Sequence, residues 1–159
     1  MKTRKSWKEK LHDDNGLPKV EPIAGKLIEM WGEGTVVIAK PLDVDTIMRK
    51  VPKGKLTTVN EIRKIIAAKY ETTIACPLTT GIFVRISAEA AEEEFSEGKR
   101  RITPYWRTLK EGGILNEKYP GGIEAQMAKL ENEGFSVVPK GKKNFRVLDF
   151  DKYIAKIEL

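Results

Sequence analysis

The chain holds one cysteine, Cys76, and one histidine, His12, and these two side chains bound the chemistry open to it. A zinc site takes about four Cys, His or carboxylate ligands, so no metal is expected. No cofactor is expected either. A single thiol excludes an internal disulfide framework. Cys76 precedes Pro77 at the start of a helical stretch, where a helix N-terminus can lower a thiol pKa. That makes it one conceivable acceptor; the other reading is a buried, inert thiol beside Ile74 and Ala75. His12 lies in polar surroundings and reads as a bystander.

Cations are the more abundant functional groups. The 159 residues carry a formal net charge of +6, which favours an acidic partner, with nucleic acid first among them. Lys99-Arg100-Arg101 and the trio Lys140, Lys142 and Lys143 are clusters able to hold phosphates, contacts that add salt dependence rather than sequence information. Charged residues make up 33% and hydrophobic residues 40%, the mixture of a globular chain. Its length suits one domain with a real core. Apolar runs such as 35–39 are far too short to span a bilayer. No apolar segment follows the basic Met1-Lys2-Thr3-Arg4-Lys5, so no secretory signal is expected. The expected compartment is the cytoplasm, with no membrane partner.

The elements that must position these groups are mostly helical. A short helix over 6–11 precedes an Asp13-Asp14-Asn15-Gly16 turn, and a second helical piece covers 24–31. The β-rich stretch 35–39 reads as a strand. Asp43 is an expected N-cap, with Val44, Ile47, Met48 and Val51 at helical spacing. After the Val51-Pro52 break, Thr58 and Glu61 form a capping box ahead of Val59, Ile62, Ile65 and Ile66. A third helix follows Cys76-Pro77-Leu78, capped by Thr79 or Thr80, and carries Arg85. The glycine-rich stretch 110–122 is a loop, and a helix over 123–133 ends at Gly134, a residue suited to the left-handed C′ position. Two apolar runs, 135–138 and 145–148, flank the lysine-rich turn as a hairpin. Helices followed by a basic hairpin suggest a winged helix-turn-helix, with one helix in a groove and the wing on phosphates.

The motif order is familiar. Val51-Pro52-Lys53-Gly54-Lys55-Leu56-Thr57-Thr58 resembles the "VPxGxVxTY" opening of the DNA-binding domain of methylguanine-DNA methyltransferases. Thr103-Pro104-Tyr105-Trp106-Arg107 is similar to that family's "IPCHR" active-site segment. Gly112-Gly113 and Tyr119-Pro120-Gly121-Gly122 resemble its glycine-rich loop, and the stretch ending Glu133-Gly134 its "LLxxEG" helix. The resemblance spans 51–134, about half of the chain. It implies an α+β fold: a winged helix-turn-helix of the alkyltransferase DNA-binding-domain type, with N-terminal additions and a C-terminal β-hairpin. Residues 1–50 would be N-terminal elements packed on a main domain of 51–159, the whole forming one compact domain.

In that family a cysteine thiolate takes the alkyl group from a flipped guanine, activated by a histidine that a glutamate orients. That chemistry needs a polarisable nucleophile beside a base. Tyr105 stands at the cysteine position and Trp106 at the histidine position, and only Glu133 matches the orienting glutamate. A phenol with a pKa near 10 is a poor nucleophile at neutral pH, and indole is no base. Alkyl transfer is therefore not expected, and no catalytic residue is assigned. The alkyltransferase-like proteins, which also lack the cysteine and bind alkylated guanine without repairing it, are nearest in spirit. The family's flipping tyrosine is Val59 here, and its intercalating arginine has no clean counterpart.

On this resemblance Tyr105, Trp106, Tyr119 and Glu133 would shape a base pocket, since aromatic faces stack on bases. The other reading has Tyr105 and Trp106 fill the space left by the catalytic pair. Thr58, Thr79, Thr80 and Arg85 would face double-stranded DNA, with Lys140, Lys142 and Lys143 on the wing. Arg107 would either serve the phosphates or pair with a buried carboxylate such as Glu133. The expected function is non-catalytic DNA binding in repair, of alkylated or distorted duplex, alongside a repair-protein partner. The alternative is a protein-interaction or regulatory module that reuses the fold.

Overall fold

The structure, a computed structural model, describes residues 4–159. Met1, Lys2 and Thr3, which open the basic run considered for a secretory signal, lie outside the described residues. The fold is α+β, with short strands tying together six α-helices. Strand β1 (Lys19–Pro22) runs antiparallel to β2 (Thr35–Ile38), with α2 (Leu27–Trp31) between them in sequence. Helix α3 (Pro41–Arg49) follows, then β3 (Thr57–Thr58), α4 (Val59–Lys69), β4 (Ile74–Ala75) and α5 (Pro77–Ser96). Strand β4 pairs parallel with β2, giving the order β1-β2-β4. Strand β2 is the central one, and its Val36 and Val37 are both buried. A run of β-branched side chains suits such a position.

A 3-10 turn over Tyr105–Arg107 leads into β5 (Thr108–Leu109), which pairs parallel with β3. Helix α6 (Gly122–Asn132) and the hairpin of β6 (Val137–Lys140) and β7 (Asn144–Val147) complete the chain's regular elements, before a final 3-10 turn at Phe150–Tyr153. Close packing replaces length in the loops. A Cβ on Gly113 would stand 2.4 Å from the Phe150 ring, and the positive φ of 79° at that residue suits glycine alone. Gly134, with φ +96°, follows α6 at the position expected for it.

Three helix starts differ from expectation, α2 beginning at Leu27 rather than Ala24. Helix α3 begins at Pro41, whose preset φ suits the first helical position. Asp43 is thus the third residue of the helix rather than its N-cap, and its carboxylate reaches back to accept the Lys40 backbone N–H at 3.1 Å. Helix α5 likewise starts at Pro77, so Cys76 is the N-cap and neither Thr79 nor Thr80 is. The hydroxyls of both threonines donate back to the Cys76 carbonyl, at 3.5 Å and 2.7 Å. Helix α4 starts as expected, with the Thr58 hydroxyl accepting the Glu61 N–H at 3.2 Å.

The main core joins Val37, Val44, Ile47 and Met48 to Ile62, Ile66, Val84 and Ala88, so residues before 50 supply a large share of it. A second cluster gathers Leu56, Leu109, Leu115, Leu130 and Val147. Trp106 packs against both. Beneath them, buried Asp45 accepts hydroxyl protons from Ser87 at 2.6 Å and Thr103 at 2.7 Å and pairs with Arg49 at 2.8 Å. That network pins the 3-10 turn to α3 and α5.

The first helix, α1 (Trp7–His12), is capped by Ser6 from its own chain segment and also by α5. The backbone N–H groups of Trp7 and Lys8 both donate to the Glu93 carboxylate at 3.0 Å. A carboxylate at a helix N-terminus satisfies orphan donors and complements the helix dipole.

Candidate nucleic-acid interface

The residues aligned with the family's chemistry close on one another. Tyr105 is 1% exposed, stacks edge-on against Trp106 and Tyr119, and donates its hydroxyl to Glu92 at 2.6 Å. Burial first, and then the Glu92 carboxylate, push the Tyr105 phenol far above its usual pKa. It is no nucleophile near neutral pH. Tyr119 is buried too, its hydroxyl donating to the Thr108 carbonyl at 2.8 Å, and burial raises its pKa likewise.

The Trp106 indole N–H donates to Glu133 at 2.6 Å, so the position aligned with the orienting glutamate still orients its neighbour, though that neighbour is an indole. Arg107 binds the same carboxylate through Nε at 2.9 Å and Nη2 at 3.0 Å, and gives Nη1 to the Val51 carbonyl at 2.9 Å. Burial alone would raise the Glu133 carboxyl, but the Arg107 and Trp106 hydrogen bonds outweigh it and hold Glu133 below its ordinary range. Of the two readings of Arg107, the structure holds the pairing with Glu133.

Tyr105, Trp106, Tyr119 and Glu133, expected to shape a base pocket, are packed against one another and hydrogen-bonded to Glu92, Arg107 and Thr108. The aromatic rings occupy the space, and their polar atoms are already partnered. Thr58 and Thr80, expected to face DNA, are 5% and 3% exposed and serve helix ends. Thr79 is half-buried. Lys140, Lys142 and Lys143 are exposed at the hairpin end. Cys76 is buried among Ile23 and Val36, and the His12 ring meets the Lys8 carbonyl at 2.9 Å. Among the described residues no group of three His, Cys, Asp or Glu could hold a metal ion, and no helix is long and apolar enough to cross a membrane.

Of the expected contacts, Arg85 alone opens onto a cleft of about 520 Å³ on the first half of α5. The first half of α5 lines it with Pro77, Leu78, Gly81, Ile82, Arg85 and Ile86. Val59, in the place of the flipping tyrosine, starts α4 there, and Lys110, Asn116, Glu117 and Lys118 come from the glycine-rich loop. Trp7 and Lys10 enter from α1. Four cationic side chains, one carboxylate and Asn116 thus share a mainly apolar lining. Glu117 is matched by Lys110 at 3.2 Å, which leaves the balance positive.

Leu78 is 71% and Ile82 49% exposed, one helical turn apart on this side of α5. The loop wall is fixed by Gln126, a buried residue that accepts the Asn116 N–H at 2.8 Å and donates to the Trp106 carbonyl at 3.1 Å. Sequence reasoning missed Trp7, Lys10, Leu78, Ile82, Lys118 and Gln126. Only the exposed i, i+4 apolar pair Leu78 and Ile82, next to Arg85 on one helix, carried a local signal.

No protein-family model matches the chain, and no curated protein matches it. Among solved structures, the chain is similar to S. pombe Atl1 in complex with damaged DNA containing O6-carboxymethylguanine, at a TM-score of 0.49 and 18% identity. It is also similar to S. pombe ATL in complex with DNA, at a TM-score of 0.47 and 17% identity. Each likeness covers 74% of this chain and 94% of the other.

Proposed function

We propose that the protein is a non-catalytic DNA-binding protein of the alkyltransferase-like kind that recognises alkylated or otherwise distorted duplex in DNA repair. The observation that carries this reading is the cleft on the first half of α5. It combines an apolar lining with Lys10, Arg85, Lys110 and Lys118 against a single carboxylate. That chemistry suits a flat, apolar-faced group tethered to phosphates, which is a base drawn out of a duplex. Its volume lies within the range of about 300–1,000 Å³ typical of ligand sites. Exposed Leu78 and Ile82 resemble the apolar wedges that proteins press between base steps. In this reading α5 enters a groove, the lysine-bearing hairpin is the wing of a winged helix, and the binding is non-enzymatic because Tyr105 and Trp106 are committed to packing.

The experiment is fluorescence anisotropy with a labelled duplex, with and without one O6-methylguanine, across a salt series. Salt-sensitive binding that is tighter to the lesion is the expected result. Equal affinity for both duplexes would reduce the reading to general DNA binding. No binding at low salt would refute it in favour of a protein-interaction module.

A further inference from the structure

The aromatic side chains aligned with the family's active site are committed to packing, Tyr105 buried and Trp106 half-buried, yet the cleft is not without an aromatic ring. Trp7 lines it from α1, a helix lying wholly outside the segment 51–134 that carries the family resemblance. We infer that Trp7 is the stacking platform for an extrahelical purine in this cleft, with Arg85 and Lys10 holding the phosphates beside it. This inference rests on the DNA-binding reading above.

Three observations place Trp7 in that role. Its position is set by the main fold rather than by a mobile end, because the Glu93 carboxylate of α5 accepts the backbone N–H groups of both Trp7 and Lys8. Leu11, buried on the same helix, anchors α1 from its other end. Its ring is only half-buried, and it faces the cleft shared with Ile82 and Ile86.

Two cations already sit at the indole, Lys10 Nζ at 4.2 Å and Arg85 Cζ at 5.5 Å from a ring centroid. Cations are drawn to the face of an indole, so a base that stacks on this ring displaces the cation lying over it onto the neighbouring phosphates. Neutralising phosphates with such groups makes binding fall as salt rises. The N-terminal helix therefore extends the binding surface of α5 instead of covering it.

The test uses the full chain and a duplex carrying one unpaired 2-aminopurine, with a fully paired duplex of the same sequence as reference. The wild-type protein is expected to quench 2-aminopurine emission and to lose tryptophan emission on binding. Trp7→Ala should bind the unpaired-base duplex about tenfold more weakly, with the paired duplex affected far less. Trp7→Phe keeps a ring for packing and should recover part of the affinity. Trp31→Phe, in a different cleft, should leave the binding and the emission change intact.

Far-UV circular dichroism and thermal melting establish that each variant is folded, and Trp7→Phe keeps the test decisive if Trp7→Ala is not. Wild-type affinity for the unpaired-base duplex in every Trp7 variant would overturn the inference while leaving DNA binding in place. Tighter binding by Trp7→Ala would overturn it by making α1 a cover. Failure of the wild type to bind any duplex would remove both the inference and the reading beneath it.

Discussion

Two regions of this molecule carry chemistry-capable residues and treat them in opposite ways. In the cluster of Tyr105, Trp106, Arg107, Tyr119 and Glu133, nearly every polar atom meets another within the protein. In the cleft of α5, Leu78 and Ile82 are exposed and Arg85 and Lys118 stand at the surface. The first arrangement spends its hydrogen-bonding capacity on stability, and the second keeps its capacity for something outside the chain. Burying a charge is costly unless it is paired, so Glu133 and Arg107 have to find each other. No such demand acts on Arg85 or Lys118. Residues at the positions of a reactive site can therefore become part of the core, while binding moves to neighbours that packing leaves alone.

The largest expected effect breaks the closed side of that comparison. Glu133→Ala strands Arg107 and the Trp106 indole N–H, and should cost about 3–5 kcal/mol in urea unfolding. Below its melting temperature, the variant should bind duplex as the wild type does. Next in size, Arg85→Ala with Lys118→Ala tests the open side. The pair should weaken binding about tenfold at low salt and lower the salt slope by roughly one per cation, with the melting temperature nearly unchanged. A melting temperature that fell with affinity would show the two regions are not separate.

Tyr105→Phe removes the hydrogen bond to Glu92 but keeps the ring, so a loss of about 1 kcal/mol is expected, with no change in DNA affinity. The smallest effect is in the acid limb of stability. Glu133 and Asp43 both have folded pKa values below the ordinary carboxylate range. For Asp43, burial would raise the value, but the Tyr70 hydroxyl and Lys69 outweigh it. A depressed folded value means the contribution is present above the unfolded pKa and is lost as pH falls through the folded one. Asp43→Asn should flatten the stability profile below about pH 4 and leave its alkaline side unchanged.

Much of the scaffold was readable from local patterns. Thr58 three residues before Glu61, the hydrophobic spacing of α4, Gly134 after α6 and the lysine-rich turn between two apolar runs each specify structure through contacts a few residues apart. The helix starts at Pro41 and Pro77 lie three residues or more before those that the capping side chains suggest, because proline's preset φ opens the helix earlier. The site was less legible. A Tyr-Trp pair reads the same in sequence whether it faces a pocket or a core, and what settles it is the arrival of Glu92 and Glu133 from distant positions.

By itself, then, the sequence determined the single thiol and single imidazole, the positive charge, and the helices and hairpin whose signals are local. Only the tertiary structure decided that Tyr105 is buried with Trp106 packed over it, that Arg107 belongs to Glu133, and that Trp7 reaches the cleft of α5. The reason is one of range. Caps, turns and amphipathic faces are set by neighbours in the chain, whereas burial and ion pairing depend on which surfaces meet. Trp7 and Glu93 lie 86 residues apart, and no periodicity connects them until α1 has docked on α5.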